Sequence, residues 1–207
     1  DESAAPTDAL DIAMLHRLAG VVDEATAAFE AFDYARVLER TGSFFWWFCD
    51  DYVELVKDRV YNDANAAGQK SGRLALGIAT ETYLKLFAPF LPFVTDEVWS
   101  WWKTDSVHNS QWPAAAEVAA FAHGADPKTM DAVSSVVSQI RKIKSDAQVS
   151  MKAEVESATL ISPATVLTEL RKLEADFKAV GKIAVLSFEE GEEFAVKDVV
   201  LAPTEEA

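Results

Sequence analysis

The sequence predicts a mainly α-helical protein: an antiparallel helix bundle over residues 1–150, followed by a small α/β appendage over residues 151–207. Three observations carry this reading. Apolar residues recur at three-to-four spacing through four long stretches, the period of an amphipathic helix. Only 8 Gly and 7 Pro stand among 207 residues, few punctuators for a loop-rich all-β fold. Half of the residues are hydrophobic, enough to bury a sizeable core.

The first helix is expected over residues 8–31, with Met14, Leu15, Leu18, Val21, Val22, Ala25 and Phe29 as its stripe and Thr7 or Asp8 as its cap. A second spans residues 34–60 along Val37, Leu38, Phe44, Phe45, Phe48, Tyr52, Leu55 and Val56. Residues 62–72 read as a turn-rich connector. A third helix starts near Ser71 and carries Leu74, Ile78, Tyr83, Leu84 and Phe87. Pro89 and Pro92 break it, because proline lacks the N–H and clashes with the preceding turn. A short helix through Val98 and Trp99 to Trp102 follows. Residues 103–127 read as a long irregular loop around Trp112-Pro113. The fourth helix, residues 127–147, lines up Met130, Val133, Val136, Val137, Ile140 and Ile143. In the tail, residues 158–161 and 183–188 are β-prone, and residues 163–180 are helical, with Gly181 as the stop. Residues 195–201 are expected to pair with 183–188.

Composition narrows the function. Cys49 is the one cysteine, which excludes an intramolecular disulfide and a cysteine-cluster zinc site and fits a reducing cytoplasm. No stretch approaches the ~18 apolar residues of a membrane span. The start lacks a Met and the pattern of a signal peptide, so the chain reads as a piece of a longer one. The net charge of −15 excludes a basic nucleic-acid-binding domain, so any RNA contact must use local cationic spots on an acidic body. His16, His108 and His123 have no partner at metal-ligand spacing, and no Gly-rich phosphate loop or nucleophile elbow is present. Asp50 and Asp51 are adjacent helix positions, about 100° apart, and do not face one another. No catalytic residue, metal site or cofactor is expected within these residues.

The unusual feature is aromatic density: Phe44, Phe45, Trp46, Trp47, Phe48 and Tyr52 fall within ten residues. One buried stripe cannot absorb all six. Most should form a thick aromatic core, and one or two should remain open to a partner. Unpaired RNA bases stack on such rings while nearby cations hold phosphates. Phe45 and Trp46 are the candidate stacking residues. Arg36, Arg40, Lys57 and Arg59 flank the block. Arg141, Lys142 and Lys144 form a second cationic cluster, suited equally to a helix C-terminus and to phosphates.

These residues also resemble a family. Phe48-Cys49-Asp50, Tyr52 and Glu54 match the Phe-Cys-Asp helix of class I aminoacyl-tRNA synthetases of the valine type, although Phe45 stands where that family has Trp, and Trp46 is one place later. Pro89, Phe90, Pro92, Phe93, Glu97 and Trp99 resemble the family's paired Pro-Phe signature with its following Glu and Trp. Ser106-Val107, Trp112-Pro113, the 141–144 cluster and residues 149–152 extend the likeness, which covers residues 10–152 well and the tail weakly. The resemblance implies an anticodon-binding bundle that contacts the anticodon stem-loop of tRNA(Val). Its RNA contacts would be Arg36, Arg40, Phe45, Trp46, Lys57, Arg141, Lys142 and Lys144. It further implies catalytic and editing domains elsewhere in the same cytoplasmic chain, which would use ATP with Mg. The family's two ATP signatures are absent from these residues. The same domain of an isoleucine or leucine enzyme, and a helical protein-interaction module, are the alternatives.

Overall fold

A computed structural model describes residues 5–62 and 64–203. Its first helix, α1 (Ala9–Glu30), begins where Asp8 accepts a hydrogen bond from the Leu10 N–H, satisfying one of the orphan donors of the first turn. The expected stripe from Met14 to Ala25 is buried. A three-residue turn leads to α2 (Tyr34–Trp47), capped by Asp33, whose carboxylate accepts from the Arg36 N–H.

The second helix is not one continuous α-helix. A π-helical turn (Phe48–Tyr52) separates α2 from α3 (Val53–Tyr61). The cause is legible in the spacing. Phe44, Phe48, Tyr52, Val56 and Val60 are all buried, and each is four residues from the next. At 3.6 residues per turn such a row drifts by about 40° per step. A wider turn takes up the surplus and keeps the row on the core.

Helix α4 (Ala66–Phe87) begins five residues before the expected Ser71 start. Asn65 caps it, accepting from the Gly68 N–H at 3.0 Å. At Gly68 a Cβ would meet Arg59 Cδ at 2.8 Å, so the absence of a side chain lets α4 approach α3 closely. Pro92 opens α5 (Pro92–Trp99), three residues shorter than expected. The 103–127 segment is less irregular than its composition predicts. It holds a 3-10 turn (Val107–Asn109) and a short helix, α6 (Ala115–Ala119), and Trp112 Nε1 donates to Thr26 Oγ1 of α1 at 2.8 Å. Helix α7 (Pro127–Asp146) closes the helical part, with its expected stripe from Met130 to Ile140 buried.

In the tail, β1 (Val155–Ser162) is followed by two helices in place of the single one expected, α8 (Ala164–Lys172) and α9 (Glu174–Gly181). The stop also differs. Gly181 is the last helical residue, and Lys182 takes the left-handed conformation at φ 53°. Strand β2 (Ile183–Glu190) lies parallel to β1, as a helical crossover requires. Strand β3 (Ala195–Leu201) does not pair with β2 as expected. The sheet order is β2-β1-β3, with β3 antiparallel to β1. The chain crosses the end of β1 at Gly191, whose N–H bonds to Ser162 O and where a Cβ would collide with Ile161. Gln139 of α7 then fixes the start of β3. Its amide donates to Phe194 O, and its carbonyl accepts from the Val196 N–H. Leu160, Leu170, Phe177 and Ile183 of the tail join one continuous core with Val133 and Ile140 of α7.

A buried polar network ties the start of the chain to the tail. Arg59, at the end of α3, grips the fully buried Asp11 carboxylate with Nη1 and Nη2 at 2.9 and 3.0 Å and donates from Nε to Asp176 of α9 at 3.2 Å. The Tyr52 hydroxyl and Ser71 Oγ also donate to Asp11, at 2.7 and 2.6 Å. Arg59, read from sequence as a cation flanking the aromatic block, is therefore a core residue. Asp8 stands 3.6 Å from the same guanidinium. One cation cannot fully compensate three carboxylates. Burial raises Asp8 above the usual carboxylate range and pushes Asp176 up to about 6 despite its Arg59 partner. A carboxyl whose folded value is raised binds its proton more tightly in the fold. The contribution of Asp176 is therefore greatest below its ordinary value of 3.8 and is lost as pH rises through about 6. Asp176→Asn, which keeps an acceptor for Arg59, is expected to remove this loss, on the order of 2–3 kcal/mol. Urea denaturation between pH 4 and pH 7 checks it: the wild-type curve should fall across that range relative to the variant.

Candidate RNA interface

The aromatic block divides as its phases require. Phe44 and Phe48 are core, and Phe45 is half-buried, edge-on to Tyr83 at 5.2 Å and to Phe87 at 5.3 Å. Trp47 stacks on Phe44 at 5.3 Å and donates from Nε1 to Ser134 Oγ of α7. Trp46 alone of the six is open, 64 % exposed, and its ring leans edge-on against Phe45 at 5.9 Å. Phe45 is thus the ring that supports Trp46, and its own faces are largely covered.

One turn beyond Trp46, the π turn presents Asp50 and Asp51 to α7. Arg141 donates there to the Asp50 carbonyl and the Asp51 carboxylate. The structure therefore brings Trp46 and Arg141 to one edge of the molecule, with Lys142 exposed beside Arg141. Lys144 is not part of this edge. It is 2 % exposed, and its ammonium donates to the carbonyls of Met151, Ala153 and Gly181 at 3.1, 2.8 and 2.8 Å. Three protons meet three acceptors, which leaves no donor for a phosphate. Burial and the nearby Lys182 charge lower its proton affinity.

The cations of α2 and α3 are dispersed. Arg36 is exposed in the first turn of α2. Arg40 reaches Glu24 of α1 at 3.6 Å and borders a groove of ≈ 450 Å³ between α1, α2 and α7. Lys57 pairs with Glu54 at 3.2 Å, on the surface of α3. A phosphate at Arg40, Lys57 or Arg141 must displace a carboxylate, and such exposed pairs are weak, about 0–1 kcal/mol. Sequence reasoning missed Arg17, which lines the same groove as Arg40 together with Ser43 and Trp47. Arg17, Gly20 and Glu24 repeat the 3-and-4 spacing of Arg40, Ser43 and Trp47, so the two faces match in period. Only the packing of α1 on α2 shows that they meet.

The comparisons with known proteins agree with this geometry. A family model for the anticodon-binding domain of tRNA ligases matches residues 11–160, which holds every helix from α2 to α7, the aromatic block and the cationic edge. The chain is 47% identical over 205 residues to the valine–tRNA ligase of Thermobifida fusca (strain YX), covering 99% of this chain and 23% of that protein. It is 44% identical over 199 residues to the valine–tRNA ligase of Leifsonia xyli subsp. xyli (strain CTCB07), covering 95% of this chain and 23% of that protein. It is 46% identical over 184 residues to the valine–tRNA ligase of Cutibacterium acnes (strain DSM 16379 / KPA171202), covering 88% and 21% respectively. The chain thus spans less than a quarter of the length of these relatives. With its family match, its mainly helical fold and its exposed ring beside a cationic edge, the chain belongs to the anticodon-binding domain family of tRNA ligases.

Proposed function

We propose that this chain is the anticodon-gripping part of a valine–tRNA ligase and that Trp46 stacks on an unpaired base of the tRNA(Val) anticodon loop. The supporting observation is one open ring in a block of six, held rigidly by Phe45 at the edge where Arg141 and Lys142 lie. Arg36, Arg40 and Lys57 hold phosphates further along α2 and α3. Valine activation with ATP and Mg, and editing, belong to other parts of a longer cytoplasmic chain. Residues 1–150 form the gripping domain, with the helices antiparallel across short turns such as the one between α1 and α2. Residues 151–207 brace α7 from behind.

The test is a titration with a valine-anticodon stem-loop RNA, followed by tryptophan fluorescence at low and moderate salt, with an alanine-anticodon loop as control. Selective binding that weakens steeply with salt is expected, because phosphate contacts release counterions. Trp46→Ala should weaken binding by roughly 5- to 100-fold, the worth of about 1–3 kcal/mol of base stacking, and leave the melting temperature unchanged. Unchanged affinity in Trp46→Ala would remove the stacking role. A flat salt response would favour a protein-binding module.

A further inference from the structure

Residues 91–102 form a second open apolar surface, away from the core and unused by the proposed RNA contacts. Phe93 is 90 % exposed, Trp101 70 % and Val94 52 %, with Leu91 at 48 % beside them. Phe93, Glu97 and Trp101 stand one helical turn apart, and Trp101 Nε1 donates to Glu97 at 3.4 Å. This exposure is not fraying. Thr95 Oγ1 ties back to Leu91 O, and Asp96 accepts from Ser106 Oγ and the Val107 N–H. Beneath the helix, Trp99 is buried against Ala88 and Val107.

Isolated apolar residues on a surface are ordinary, whereas a contiguous, rigid group with aromatic anchors marks an interface. Asp96 and Glu97 at its edge disfavour a phosphate backbone. The length of the relatives points to the occupant: the Thermobifida fusca ligase matches nearly all of this chain, yet more than three quarters of that protein lies outside the match. A domain borne by so much further chain must rest on it through some face. We propose that the apolar face of Leu91, Phe93, Val94 and Trp101 docks this domain onto the remainder of its own ligase polypeptide. The inference rests on the reading of this chain as part of a longer ligase.

Hydroxyl-radical footprinting read by mass spectrometry tests it, on this chain alone and on the full-length ligase that carries it, both without RNA. Phe93 and Trp101 should oxidise rapidly in the chain alone and roughly tenfold more slowly in the full-length protein, as core interface residues lose contact with water. Trp46 should oxidise equally in both. Equal rates at Phe93 in the two proteins would overturn the proposal. Protection of Phe93 in the chain alone, growing with concentration alongside a dimer mass, would overturn it in favour of a second copy. The double variant Phe93→Ser with Trp101→Ser should leave the melting of the chain alone unchanged and lower that of the full-length ligase; unchanged melting in both would count against docking. Failure of the RNA reading shows separately, as an anticodon stem-loop that gives Trp46 no protection, whatever Phe93 does.

Discussion

Arg59→Ala is expected to destabilise the fold by about 3–5 kcal/mol, the cost of leaving buried charge without its partner. Arg59 is 6 % exposed, Asp11 is fully buried and Asp176 nearly so. Removing the guanidinium strips Asp11 of two hydrogen bonds and leaves it only the hydroxyls of Tyr52 and Ser71. The deficit should shrink as pH falls, because protonation relieves the stranded carboxylates, and Asp176 is already poised near 6. Urea denaturation at pH 5 and pH 8 reads both effects. A loss below about 1 kcal/mol at pH 8 would mean that water reaches the carboxylates and that the network contributes little. Because Arg59 joins the end of α3 to α1 and α9, the loss should appear as one cooperative transition. A separate early melting of the tail would contradict that.

The second large effect concerns the other buried cation. Lys144→Met should cost about 3 kcal/mol, since it keeps the apolar stem and deletes three hydrogen bonds from a charged donor. The orphaned carbonyls of Met151, Ala153 and Gly181 belong to the turn before β1 and to the end of α9. Amide exchange should therefore quicken first in β1 and β2, while α1 and α2 stay protected. Lys142→Met, two residues earlier and exposed, is the control: it should change stability by less than about 0.5 kcal/mol. The two variants should separate in the opposite sense on RNA. If Lys144→Met weakened stem-loop binding at intact stability more than Lys142→Met did, the buried assignment would fail.

That pair of lysines shows where sequence reading stops. Two positions apart, Lys142 and Lys144 differ in nothing local: both lie in the last two turns of α7, where a cation suits the helix dipole. Their fates are set by residues of the later tail, which bring three free carbonyls to one lysine only. Arg59 is a parallel case. Its partners lie 48 and 117 residues away, beyond any periodicity in α3. By contrast, the α1 cap at Asp8, the break at Pro89 and Pro92, and the buried faces of α1 and α7 were legible, because each follows from contacts within a few residues. The β3 pairing was misread for the long-range reason again. A four-residue link after β2 suits a hairpin, and only Gln139 and Gly191 reveal the crossing over β1. Within the RNA edge, the sequence showed that some ring must be open. Choosing Trp46 over its neighbours required the phase set by the π turn.

That turn carries a consequence for how the segment tolerates change in length. Dropping one residue between Phe48 and Tyr52 would return the helix to regular geometry and swing everything after it by roughly 100° about the axis. Val56 and Val60 would leave the core, and Arg59 would turn away from Asp11. Adding or removing a residue in the exposed 103–106 stretch would be absorbed locally. A short indel in this family is therefore acceptable in the connector and ruinous in the aromatic block, whatever its chemistry. Between Phe48 and Tyr52 the number of residues is as much a determinant of the fold as their identity.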